Sequence, residues 1–395
     1  MAKKVLRIIN RFNLGGITYN VAYLTKYLSA DYETLLIGGK EEEGEESSLH
    51  ITDNLGLKPV LIEELQRSIG FKSDYAAYKR IKEIIREYKP DIVHTHASKA
   101  GAVGRLAAIH CKVPIIVHTF HGHVFHSYFG ALKTAFFKGI ERYLAKRTQA
   151  IIAISDIQKK ELTETFKICT PQQTHVVNLG FDLERFTQNI EQKRKEFRTK
   201  YNLQDDELAI GIIGRLAPVK NHELFIDAIE NAAKHSNKKI RAFIIGDGET
   251  RAQLENYLVA KKIPFTNEAS GNKLICFTSW IKNVDWALAG LDLVALSSKN
   301  EGTPVSLIEA QASGKFIIST NVGGTADILH KDCGFLCDKD KPEEFISQIL
   351  NAINNFETLS PKAKNGQQQV LAQFSYKRLV KDVENLYNTL MKNKK

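Results

Sequence analysis

Short β-branched runs alternate with helix-period stretches along the whole chain. In the first half the strand-like runs are residues 5–10, 34–38, 59–62, 91–94, 115–119, 151–155 and 174–178. Helical patterns separate several of them; within 75–88, Ala76, Ile81, Ile84 and Ile85 form one apolar stripe. Runs such as 151–154 are apolar without alternation, as expected of strands covered on both faces. The pattern pauses at 178–186 and crosses a charged helical stretch at 188–201. A second series follows, with strands at 209–213, 241–245, 274–278, 293–296 and 316–319, and helical patterns at 222–233, 250–261, 305–312 and 343–354. The chain closes on a helix over 376–391. Strands alternating with helices predict parallel α/β sheets. The pause places a linker near 179–190, hence two α/β domains, with the ligand expected beyond the carboxyl ends of the strands, in a cleft between them.

Composition narrows the class. A chain of 395 residues suits two domains of ordinary size, and 43% hydrophobic with 25% charged residues is the balance of a folded protein. Cys111, Cys169, Cys276, Cys333 and Cys337 form no CxxC pair and suit reduced thiols in a cytoplasmic protein. No structural metal is expected, because no second pair complements Cys333 and Cys337. Arg7 interrupts the apolar start too early for a secretory signal, and no apolar run reaches the ~18 residues of a spanning helix. The formal charge of +10 asks for an anionic partner. Without zinc-finger spacing, an RNP-like box or an Arg-rich arm, a nucleotide sugar or an anionic membrane fits better than nucleic acid.

Three motifs carry chemistry. Residues 10–16 (NRFNLGG) follow the first strand, where Gly15 and Gly16 let backbone amides approach a phosphate at a helix start; a plain tight turn is the competing reading. Residues 214–221 (GRLAPVKN) put Arg215 and Lys220 on a loop feeding a helix, where they could clamp a diphosphate and neutralise a leaving phosphate. Two exposed basic residues on a turn would look the same. Residues 300–309 (NEGTPVSLIE) are the most informative. Thr303 is the predicted helix N-cap with Pro304 at the first helical position, so Glu301 lies in the loop and Glu309 inside the helix. Carboxylates grip diols, and both sugars and ribose are diols.

Together with residues 117–122 (VHTFHG), these motifs resemble the family 4 glycosyltransferases of the GT-B fold, over roughly residues 5 to 380. The stretch NEGTPVSLIEAQASG with 320–324 (TNVGG) is similar to bacterial members that use UDP-sugars to build cell-surface polysaccharide. The resemblance implies two Rossmann-like domains facing across a central cleft: 1–180 for the acceptor, 181–375 for the nucleotide sugar, and a terminal helix at about 376–395 packing back on the first. It assigns the diphosphate to Arg215 and Lys220, with Gly15 and Gly16 behind it. Glu309 would hold the ribose, and Ile281 the base. Glu301 and the Gly302-Thr303-Pro304-Val305 turn, through the amides of Gly302, Thr303 and Val305, would hold the transferred sugar, with His121 beside it. The implied reaction is retaining transfer of a hexose or N-acetylhexosamine to a saccharide or lipid-linked acceptor, with no cofactor or metal. A front-face route is easier to fit than a covalent intermediate, since no evident nucleophile stands in the first-domain motifs.

Two features remain open. His94, His96, His118, His121, His123 and His126 crowd together, but no HExxH carboxylate accompanies them; substrate contacts and loop packing are the expected roles. Residues 129–147 form a basic amphipathic stretch that could lie on the inner face of an anionic cytoplasmic membrane or pack its aromatic side in the core. The rival functions are a UDP-N-acetylglucosamine 2-epimerase-like isomerase and a non-catalytic nucleotide-sugar binder.

Overall fold

The computed structural model describes residues 2–13, 16–42, 47–66, 70–122 and 131–393, with nothing stated for the side chains of 131–133. The chain divides into two compact units: one runs to Phe181 and resumes at Phe374, and the other is Asp182–Gln373.

The first unit is a seven-stranded parallel sheet: β1 (Lys3–Arg11), β2 (Tyr32–Gly39), β3 (Val60–Leu61), β4 (Ile92–His96), β5 (Ile115–Phe120), β6 (Ala150–Ala153) and β7 (Thr174–Val176), in the order β3-β2-β1-β4-β5-β6-β7. The order reverses between β1 and β4, whose register sets Arg7 opposite His94. One face is covered by the helices Phe71–Tyr88 and Ser98–His110, through Ala77, Ile81, Ile84, Ala100 and Ala107. The helix Tyr376–Lys392 covers the other. Leu379, Val380, Val383, Leu386 and Tyr387 recur at three- and four-residue spacing and pack on Val5, Ile92, Val117 and Ile152. The chain re-enters this unit through paired backbone bonds, Phe181 N to Phe374 O (2.8 Å) and Tyr376 N to Phe181 O (3.0 Å).

The second unit repeats the architecture: β8 (Glu207–Ile213), β9 (Lys239–Ile245), β10 (Phe265–Thr266), β11 (Ile275–Ser279), β12 (Leu293–Leu296), β13 (Phe316–Thr320) and β14 (Gly334–Cys337), in the order β10-β11-β9-β8-β12-β13-β14, all parallel. Its order reverses between β8 and β12. The helices His222–His235, Arg251–Ala260 and Pro342–Asn354 bury Phe225, Ile229, Leu258, Phe345 and Ile349 on one face. On the other, Phe197, Tyr201, Phe243 and Trp286 form an aromatic cluster. Two edge strands escape the hydrophobic pattern. β10 is two residues long, and β14 is four residues with no alternation, so both are defined by their neighbours rather than by their own sequence.

Candidate functional site

In an open parallel sheet the crevice forms where the strand order reverses, because the loops leaving the two flanking strands part there. In the second unit those loops are 214–221 from β8 and 297–304 from β12. They are laced together. Ser297 Oγ donates to the carbonyls of Lys220 and Asn221 (both 3.0 Å), and the Lys299 amide donates to Val219 O at 2.8 Å. Thr320 Oγ1, from the end of β13, donates to Ser298 O at 2.6 Å. The 320–324 loop then lies directly against Glu301 and Gly302. Gly324 N donates to Gly302 O at 2.9 Å, and a Cβ on Gly323 would stand 1.7 Å from Glu301 O. Gly323 also holds φ +51°, so two independent demands require glycine there.

This scaffold brings Lys220 to Glu301. Lys220 Nζ lies 2.6 Å from Glu301 Oε1, and Ser298 Oγ donates to the same oxygen at 2.6 Å. Both side chains are mostly buried, 23% and 10% exposed, so screening by water is weak. The ammonium has two further N–H donors. Among the described residues Glu301 Oε2 accepts no hydrogen bond, which leaves a carboxylate edge free for hydroxyl groups. Ser298 was not anticipated; its three-residue spacing before Glu301 in SSKNE was the only trace of it.

Glu309 sits elsewhere in the unit. It faces Arg185, whose guanidinium lies 3.6 Å from Glu309 Oε1 and 4.0 Å from Asp285 Oδ1; Lys193 Nζ closes the chain at 2.8 Å from Asp285 Oδ2. Burial raises the Glu309 carboxyl to about 7, with Arg185 opposing and Asp285 reinforcing the shift. Arg185 comes from the short turn Glu184–Phe186, where the hydrophobic pattern is silent, so sequence reasoning missed it. Arg215 is 64% exposed and only loosely paired with Glu249 at 3.9 Å, a solvent-screened contact. Ile281 is half-buried between β11 and the helix Val284–Gly290.

One expectation needs correction. The helix after Glu301 is Val305–Ala312, with Pro304 extended at its boundary (φ −70°, ψ 104°) and no side-chain cap, so Thr303 is not the N-cap. The first intrahelical partners belong to Leu307 and Ile308, both bonding to Pro304 O. The amides of Val305 and Ser306 therefore precede the helical ladder and can serve a ligand. Gly302 opens onto empty space, with no atom within 4 Å of where a Cβ would stand.

In the first unit, Gly16 opens the helix Gly16–Tyr27, its carbonyl accepting from Asn20 Nδ2 at 2.9 Å; Gly15 lies outside the described residues, as do His123 and His126. The histidines are not a row of cleft-lining groups. His94, His96 and His118 are wholly buried, and strand alternation sends them to opposite faces of the sheet. His118 meets Thr95 Oγ1 at 2.8 Å and presses against Gly101, where any Cβ would stand 2.4 Å from its ring. His94 and His96 stack at 4.2 Å on the other face, and His96 Nδ1 reaches His121 Nε2 at 3.0 Å. Burial pushes His94, His96 and His118 well below the ordinary histidine range and His121 down to about 4. All four are neutral at pH 7. Among the described residues, no cluster of three or more His, Cys, Asp or Glu side chains could hold a metal ion.

Two family models cover most of the chain: "Glycosyltransferase Family 4" over residues 14–185 and "Glycosyl transferases group 1" over 193–369. The chain belongs to the family 4 glycosyltransferases. Among its relatives is the Escherichia coli UDP-Gal:alpha-D-GlcNAc-diphosphoundecaprenol alpha-1,3-galactosyltransferase, 27% identical over 349 residues, 87% of either chain. The Staphylococcus aureus capsular polysaccharide biosynthesis glycosyltransferase CapM is 26% identical over 83% of this chain and 86% of its own. The crystal structure of Anabaena HepE in complex with UDP superposes with a TM-score of 0.79 at 18% identity, covering 98% of this chain and 100% of that one, which establishes the shared GT-B fold.

In this glycosyltransferase the basic stretch of the first unit is the helix Ala131–Ala145. Its charges are not all free. Arg142 donates to the carbonyls of Phe166 (2.7 Å) and Lys167 (2.9 Å), Arg147 lies over the Tyr143 ring, and Glu141 pairs with buried Arg105 at 2.6 Å. Phe136 remains 64% exposed. No described helix is long and apolar enough to cross a membrane.

Proposed function

We propose that the chain moves a hexose or N-acetylhexosamine from a UDP-sugar, with retention of anomeric configuration, to a saccharide or lipid-linked saccharide acceptor in cell-surface polysaccharide synthesis. The observation that carries this reading is the Lys220–Glu301–Ser298 cluster at the strand-order reversal. It combines a fixed ammonium with two spare donors and a carboxylate with one free edge. Departure of UDP builds negative charge on the outer phosphate, and a preorganised cation lowers that barrier without reorganising at the moment of reaction. Lys220, with the exposed and adaptable Arg215, takes that charge. The free edge of Glu301 and the amides of Gly302, Thr303 and Val305, on either side of Pro304, take the sugar, Glu309 the ribose, and Ile281 the base. His121 addresses the transferred sugar and Gly16 backs the diphosphate. The leaving phosphate itself removes the acceptor proton, so no carboxylate nucleophile is needed.

The E. coli relative is named for UDP-galactose and a diphosphoundecaprenol acceptor, and the Anabaena structure holds UDP; both support the donor class. The exposed Phe136 on the helix Ala131–Ala145, and the exposed Lys146 just after its end, support apposition of this segment to an anionic membrane carrying such an acceptor.

UDP release from a panel of nucleotide sugars, with a membrane extract as acceptor and with and without EDTA, tests the reading. Acceptor-dependent, EDTA-resistant release from one UDP-sugar is expected. Epimerisation of the donor without acceptor would replace it with an isomerase.

A further inference from the structure

Arg7 is wholly buried on β1, and no carboxylate of the described residues pairs with it. Its neighbours are neutral. Nη1 lies 3.2 Å from His94 Nδ1 and 3.5 Å from His96 Nε2, Nη2 donates to Leu24 O at 3.4 Å, and the Tyr387 hydroxyl shares a hydrogen bond with the guanidinium. A guanidinium has five donors and no acceptor, so any ring nitrogen turned toward it must present a lone pair. That single fact assigns the protons of the whole cluster. His96 Nε2 faces Arg7 and is the lone pair, so the His96 proton is on Nδ1 and donates to His121 Nε2 at 3.0 Å. His121 Nε2 is thereby an acceptor, and the His121 proton is on Nδ1. On the second branch Tyr387 accepts from Arg7 and donates its own hydrogen to His94 Nδ1 at 2.6 Å, leaving His94 Nε2–H to donate to Thr119 Oγ1 at 2.7 Å.

We propose that Arg7, acting through His96, holds His121 as the neutral Nδ1–H tautomer, its Nε2 lone pair committed inward and its Nδ1 proton the one donor left to a ligand. The stacked pair His94 and His96 then carries opposite tautomers, Nε2–H and Nδ1–H. The buried cation explains the arrangement better than packing does: an unpaired guanidinium is costly in a strand interior unless acceptors are turned toward it. A second proton on His121 would set one N–H against another at His96 Nδ1, in line with the downward shift that burial causes there. Arg7 and His96 are positioning residues in this scheme. Resting on the proposed role of His121 at the donor sugar, the inference gives that residue its chemistry: a fixed, uncharged hydrogen-bond donor, neither a base nor a cation.

Long-range 1H–15N correlation of the imidazoles in the 15N-labelled full-length chain at neutral pH reads the tautomers directly, with His94→Gln, His96→Asn and His121→Gln giving assignments. Nδ1–H patterns for His96 and His121 and an Nε2–H pattern for His94 are expected. His121 found as Nε2–H, or averaged between tautomers, overturns the proposal. In Arg7→Met the His96 and His121 patterns should collapse to averages, and an unchanged pattern overturns the part given to Arg7. Should that variant not fold, His96→Leu carries the test, since His121 must then lose its fixed tautomer. In turnover, His96→Leu should lower kcat roughly 10-fold with donor KM little changed, and His96→Asn, which keeps an N–H donor, should recover most of it. Equal rates for the two variants overturn the positioning role. A fully active His121→Ala instead removes His121 from the donor site, a result the wild-type tautomer pattern does not depend on.

Discussion

The two units reverse their strand order at corresponding places and put polar groups there in opposite ways. In the first, the groups stand on the strands themselves: Arg7 on β1, His94 and His96 on β4, all buried and bonded to one another or to Tyr387 of the terminal helix. In the second, they stand on the loops beyond β8 and β12, where Lys220 and Glu301 are partly exposed and keep bonding capacity in reserve. Strand-borne groups are held by the sheet register and become rigid. Loop-borne groups must be held by other loops, which is why Ser297, Thr320, Gly323 and Gly324 tie the second region together. One region is a buried support whose polar groups bond one another, and the other keeps charged groups with spare bonding capacity.

Breaking that contrast should begin with its largest effect. Lys220→Ala should lower kcat for UDP release by roughly 100-fold or more, because it removes the charge proposed at the reacting end. It should lower the melting temperature only modestly, since mostly buried Glu301 loses its ion-pair partner but keeps Ser298. A variant within about twofold of wild type would dissociate the loop cluster from the chemistry.

Next in size is Gly323→Ala. Its Cβ would collide with Glu301 O and impose a left-handed φ on alanine, so a cost of about 2 kcal/mol or more is expected, in stability by urea titration or as raised donor KM. Outside the Arg7–His96–His121 branch, the first region should respond only in stability. Tyr387→Phe leaves the His94 acceptor without its hydroxyl donor and should cost about 1–2 kcal/mol, with donor KM unchanged.

The smallest effects are in pH, and they differ in sign between the regions. The depressed histidines of the first unit bind fewer protons folded than unfolded. Their contribution to stability is present above the ordinary value near 6.5 and is lost as pH falls below it. Glu309 is raised from 4.5 to about 7, so the folded state holds the extra proton and stability declines as pH climbs through that window. The charged form is the better acceptor for ribose hydroxyls. Donor KM should therefore fall, by less than about tenfold, as pH rises through 7, and Glu309→Gln should flatten that profile. A flat wild-type profile would detach Glu309 from the nucleotide.

Much of this was legible in the residue pattern. Alternating apolar runs and helix-period stretches give the parallel α/β class, and the Gly214–Asn221 and Asn300–Glu309 motifs mark the loops of the second unit because their unusual residues are local in sequence. The edge strand β14 was not legible, since four residues without alternation become a strand only by pairing with β13. Nor was the Thr303 boundary, displaced by one residue where Pro304 stays extended.

The sequence by itself determined the class of fold, the order of the strands' chemistry-bearing loops and the family, since each depends on residues close along the chain. Only the tertiary structure decided which groups meet. Lys220 and Glu301 are 81 residues apart and Arg7 and His94 are 87, and no local pattern encodes a pairing across such spans. Burial likewise emerges only once both faces of the sheet are covered. It turns similar-looking histidines into a neutral support on one face and a packed core group on the other.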